Sequence, residues 1–210
     1  MNKELYQTDE WKQLDLHKRS QVLLVFEGLK RGAVYHTKKD EEKQIIEGLI
    51  RSSGFWCTKG DENTYVISLR ENITKFNRRM EKNYLKFGKD CFQEPDHHRL
   101  WGWFYGYPDC CVEYYIDNKE KSARGEETYS EFLSGLDFLI RKKNIYPEFF
   151  LYRPIPFDPC GIGCDEAMLQ FTKYMRTLNE LDPEAGDWLK DFHIRNEVNK
   201  FKKDYEFEIQ

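Results

Sequence analysis

Residues 55–69 read Phe55-Trp56-Cys57-Thr58-Lys59-Gly60-Asp61-Glu62-Asn63-Thr64-Tyr65-Val66-Ile67-Ser68-Leu69. Two β-prone runs, Phe55 to Thr58 and Tyr65 to Leu69, flank the turn-rich spacer Lys59 to Asn63, and this pattern predicts a hairpin. Upstream, the apolar positions Leu16, Val22, Leu23, Leu24, Phe26 and Leu29 follow helical spacing up to Gly32, which is expected to close the helix. A short strand is expected at Ala33 to His36. A helix from Lys39 to Ile50, stopped by Ser52-Ser53-Gly54, follows it. Downstream, Asn72 is expected to cap a basic helix that runs to about Phe87 with Ile73, Phe76, Met80 and Tyr84 at helical spacing. Residues 1–90 therefore read as a small mixed α/β unit with a hairpin.

The loop Gly88 to Pro95 marks a boundary, beyond which aromatics accumulate and strand signals nearly vanish. Helices are predicted at about Asp96 to Tyr105, Pro108 to Asn118, Tyr129 to Lys143, Ile162 to Leu181 and Pro183 to Tyr205. Pro154, Pro156 and Pro159 force an extended path that delivers Cys160 to a helix start. The fold class is α+β, with residues 91–210 forming a mainly helical unit that bears the cysteines and packs with the first as one globular body.

Composition narrows the classes. The chain has 210 residues, and 33% of them are charged, too many for a membrane protein, while 16% are aromatic, too many for a disordered one. The longest apolar run, Val22 to Phe26, is far short of the roughly 20 residues that cross a bilayer. The formal net charge of −4 gives no global positive field, so a nucleic-acid partner is not expected. Acidic residues stand where a secretory signal needs an apolar stretch, and a cytoplasmic location is expected. In a reducing compartment six cysteines lean toward metal ligation or thiol chemistry rather than disulfides.

Four of those cysteines form a constellation. Cys110 and Cys111 follow Pro108-Asp109, and Pro108 suits the first position of a helix, which puts both thiols in its first turn. Cys160 and Cys164 lie in Asp158-Pro159-Cys160-Gly161-Ile162-Gly163-Cys164-Asp165, again at a helix start. Free backbone N–H groups and the positive end of a helix dipole stabilise thiolates, the ligating form of cysteine. Cys160 and Cys164 have a spacing that suits zinc; adjacent Cys110 and Cys111 do not. Neighbouring cysteines project in different directions and reach several iron corners more readily than one tetrahedral ion, so an iron-sulfur cluster is favoured over zinc.

A metal-free structural or interaction protein, with disulfides between the two pairs or buried thiols, is the competing class. A bond between Cys110 and Cys111 is disfavoured, because successive Cα atoms are roughly 3.8 Å apart and ordinary disulfides span at least roughly 4.4 Å. Cys57 and Cys91 read as core residues. Arg153, beside the proline-rich path, is the candidate for holding an anionic cofactor or neutralising a thiolate cluster.

His97 and His98 are candidate ligands or proton carriers, although adjacent histidines near a helix start more often pack or cap. The aromatic run Trp101 to Tyr107 and the basic face Arg78, Arg79, Lys82 and Lys86 offer a nucleic-acid binder as an outside alternative. A core and a solvated face account for them more simply. No Walker loop, dinucleotide glycine fingerprint, Gly-x-Ser-x-Gly elbow or His-Glu-x-x-His helix is present, and no catalytic residue is assigned.

The two cysteine elements, Gly106-Tyr107-Pro108-Asp109-Cys110-Cys111-Val112-Glu113-Tyr114-Tyr115 and Pro156-Phe157-Asp158-Pro159-Cys160-Gly161-Ile162-Gly163-Cys164-Asp165, carry a resemblance. Together they resemble an archaeal family defined by a domain of unknown function, whose members pair Gly-Tyr/Phe-Pro-x-Cys-Cys with a later Pro-Cys-x-x-x-Cys. The likeness runs roughly from Leu29 to Leu169. Gly161 stands where that family often has serine. The resemblance implies an archaeal cytosolic source and groups Cys110, Cys111, Cys160 and Cys164; it implies no activity.

Overall fold

A computed structural model of the chain describes residues 3–59, 63–124, 160 and 164–189. The architecture is α+β, with a small antiparallel sheet in the N-terminal half and helices through most of the other described residues. The expected hairpin strands are β2 (Trp56–Lys59) and β3 (Thr64–Ser68), paired from Trp56↔Ser68 to Lys59↔Tyr65. The other edge of β3 pairs antiparallel with β1 (Gly32–His36), giving the order β1-β3-β2. Because side chains alternate between faces, Ala33, Tyr35, Tyr65 and Ile67 all point to one side, and all four are buried.

Helices α1 (Asp9–Lys12), α2 (Leu16–Phe26) and α3 (Asp40–Ser53) precede the hairpin; α4 (Arg70–Phe87), α5 (Pro95–Tyr105), α6 (Asp109–Ala123), α7 (Asp165–Leu181) and α8 (183–189) follow it. α2 is the centre of the molecule. Its run Val22 to Phe26 is buried without a polar interruption, the signature of a helix covered on all sides. It shares one core with the inner face of the sheet, with Ile46, Leu49 and Ile50 of α3, and with Tyr174, Leu178 and Leu181 of α7. A second cluster, Phe76, Leu100 and Phe104, packs with Val66 of β3. The Phe104 ring occupies the space that a Cβ on Gly32 would take, so α5 reaches β1 only because residue 32 is glycine.

Several boundaries differ from those expected of the sequence. The chain turns out of α2 at Gly28, with φ of 72°, and Gly32 begins β1 instead of closing the helix. α4 starts at Arg70 after Leu69, which caps it with no side-chain hydrogen bond, so Asn72 lies inside the helix. Gly88 to Gln93 is a short 3-10 helix where a loop was expected. α7 starts at Asp165, with Cys164 as its cap, rather than at Ile162. The N-terminal segment is built into the core through Tyr6 and Trp11, neither of which the helical and strand patterns singled out. The predicted helix at 129–143, the proline-rich path, Arg153 and the chain beyond residue 189 lie outside the described residues.

Candidate metal centre

α5 and α6 form an antiparallel pair, clamped at the surface by Arg99, whose Nε and guanidinium nitrogen each donate to Glu113 at 2.7 Å. The turn between them follows from its sequence. Gly106, with φ of 75°, ends α5: its N–H donates to the Trp103 carbonyl at 3.2 Å, and that of Tyr107 donates to the Gly102 carbonyl at 2.8 Å, a Schellman closure. Pro108 has no N–H to give, and its carbonyl accepts from Cys111 and Val112 at 3.0 and 3.1 Å to start α6. Pro108 thus stands one residue before the helix, and Cys110 and Cys111 fall in the first turn.

α7 begins beside that turn. The Cys164 sulfur accepts from the Ala167 N–H at 3.5 Å and caps the helix. Its Sγ is 3.6 Å from that of Cys110 and 3.7 Å from that of Cys111, which are themselves 3.8 Å apart. With Cys160, all four sulfurs lie within 4.8 Å of one another, close enough to hold a metal. Cys111 is buried and Cys110 is exposed, so the cluster sits at the surface with one side in the protein. All six cysteines are free thiols, and Cys57 and Cys91 stand apart from the cluster as expected.

Burial and mutual contact decide which of these thiols ionises first. Burial, then hydrogen bonds to Cys164 and Cys160, push the Cys110 thiol up to about 12. Cys111 and Cys160 are also raised, chiefly by burial. Burial works against the charge on Cys164 too, but the Ala167 N–H and the other three thiols all favour its ionised form, and its pKa lies below the ordinary thiol value. The cluster without a cation therefore supports one thiolate far more easily than four. A carboxylate oxygen of Glu166 sits 3.7 Å from the Cys110 sulfur and adds to the negative potential. Glu166 was not singled out in the sequence, because an acidic residue in the first turn of a helix is ordinary.

The histidines lie elsewhere. His98 accepts from the Lys119 ammonium at 2.8 Å, near the C-terminal end of α6, so it and His97 occupy the opposite end of the α5–α6 pair from the cysteines. Neither belongs to the cluster. His97 is buried against Phe92 and Trp101, with burial and then Lys119 lowering its pKa; the same two causes take His98 down to about 4. Both read as packed neutral imidazoles. Beside the cluster runs a cleft of about 540 Å³ whose wall includes Asp109, Glu166, Gln170 and Lys173.

Fold and cluster together define an α+β protein with four cysteines gathered closely enough to hold a metal. The family model described as "Protein of unknown function (DUF483)" matches residues 64–184, a span that contains all four, and the chain belongs to that family. No curated protein and no solved structure matches the chain.

Proposed function

We propose that this protein is a zinc protein in which one ion, held by Cys110, Cys111, Cys160 and Cys164, ties the α5–α6 turn to the start of α7. The observation that carries this is the spacing of the sulfurs. Zinc binds thiolates at about 2.3 Å, and four such bonds at tetrahedral angles put the sulfurs about 3.8 Å apart. The three pairs among Cys110, Cys111 and Cys164 are separated by 3.6 to 3.8 Å.

An iron-sulfur cluster, favoured on sequence because adjacent cysteines were expected to diverge, is the second reading of the same four sulfurs. A cluster places thiolates that sit on different irons farther apart than one ion does, so not all four would lie as close together as on zinc. Four sulfur ligands close the coordination shell and leave no position for substrate or water, which is the pattern of a structural site. The role is then mechanical: the ion joins segments that are distant in sequence and neutralises thiolates that otherwise repel.

Metal analysis of the protein purified without chelator is expected to give one zinc per chain. Cys110→Ser, Cys111→Ser, Cys160→Ser and Cys164→Ser should each lower that content, and Cys57→Ala should not. Iron with acid-labile sulfide in wild type, or equal metal in all five variants, would overturn the reading.

A further inference from the structure

α4 presents Arg70, Lys75, Arg78, Arg79 and Lys82 along one exposed stripe, and these residues line a shallow groove of about 600 Å³. Among the described residues none of the five has an ion-pair partner, whereas Lys18, Arg19, Arg51 and Arg99 each face a carboxylate. Like charges one turn apart on a helix repel, and Glu71 is the one acidic residue that lines the groove beside these five cations. Such a row in a chain of net charge −4 marks a local field that the average conceals.

Indole rings stand beside the same row. Lys75 and Arg79 lie over the Trp103 ring at 4.8 and 5.5 Å, and Arg31 joins them from the sheet side at 5.2 Å. Nearer the start of α4, Arg70 lies 4.7 Å over Trp56, a large apolar side chain left 44% exposed. From Arg70 to Lys82 the helix rises about 18 Å, enough for a short extended strand of nucleotides.

We infer that the α4 stripe binds single-stranded nucleic acid, with phosphates on Arg70, Lys75, Arg78, Arg79 and Lys82 and a base on Trp56, while Trp103 holds Lys75 and Arg79 in place. Unpaired bases offer π-faces to aromatic platforms and every phosphate offers a charge, so cations interleaved with indoles suit a single strand better than a duplex, whose bases are already stacked. The inference stands whether or not the cysteines hold zinc.

The test is fluorescence anisotropy of a labelled oligouridylate of about 12 nucleotides, titrated with the protein as purified, with duplex DNA and heparin as competitors. Binding is expected to weaken with salt at a logarithmic slope of roughly −3.5, as for about five phosphate contacts to a single strand. Arg78→Glu with Lys82→Glu, both exposed and remote from the core, should lower affinity at least about tenfold with an unchanged circular dichroism spectrum. Trp56→Leu should weaken binding about fivefold or more, the loss of one stacked base. No binding at micromolar protein, full affinity in the charge-reversed variant, or equal competition by duplex and heparin together with an unaffected Trp56→Leu variant, would each overturn the inference.

Discussion

Lys30 is buried, 3% exposed, and its ammonium donates to Gln21 Oε1 at 2.5 Å with no carboxylate partner among the described residues. Burial alone pulls its pKa from 10.5 down to about 7. A lysine whose folded pKa is lowered binds its proton more weakly in the folded chain than in the unfolded one, so stability rises with pH between those two values. Urea unfolding is expected to show wild type gaining stability from pH 7 to pH 9, and Lys30→Met showing no such gain; parallel curves would contradict the assignment. Glu42 is the opposite case. Burial opposes its charge, but Lys18, Thr37 and Lys39 hydrogen-bond to it and hold it at about 2. Neither residue stood out in the sequence, because lysine and glutamate are surface types and only the packing of α2, β1 and α3 encloses them.

Between elements, Asp182 is the joint. It lies between α7 and α8, 3% exposed; its Oδ2 accepts from Trp11 Nε1 at 2.7 Å and from Arg19 Nε at 2.8 Å, while its Oδ1 accepts from the Ala185 N–H at 3.3 Å and pairs with the Arg19 guanidinium. Asp182→Ala leaves the buried Arg19 with only the exposed Glu184 carboxylate, 3.0 Å away, and the α8 cap empty, and denaturant unfolding should report a loss of about 3 kcal/mol. A loss below about 1 kcal/mol would show that the pair contributes no more than one at the surface. The elements that were legible are those with a strong period: α2, α3, α5, α6 and the strands of the hairpin. Their ends were less so. Leu69 offers no polar side chain and Cys164 caps through sulfur, so a search for ordinary caps passes over both. The N-terminal segment is too short for periodicity, and its place depends on Asp182 at the far end of the chain.

Across the whole molecule, the grouping of the four cysteines was legible and their geometry was not. Successive helical residues point about 100° apart, which suggests divergence. Rotation about the Cα–Cβ bond nevertheless brings the sulfurs of Cys110 and Cys111 to 3.8 Å, because the turn held by Gly106 and Pro108 aims both toward Cys164. The basic face of α4 was legible as Arg78, Arg79, Lys82 and Lys86 and was read as solvated; the nearness of Trp103 and Trp56 to that helix, which depends on how α5 and the hairpin pack, was not. X-ray absorption at the zinc edge of the purified protein reads the coordination shell itself. Four sulfur neighbours at about 2.3 Å, with no metal backscatterer beyond them, are the predicted result. A mixed nitrogen and oxygen shell, or the absence of zinc beside an iron edge showing short iron–iron distances, would contradict a single ion held by Cys110, Cys111, Cys160 and Cys164.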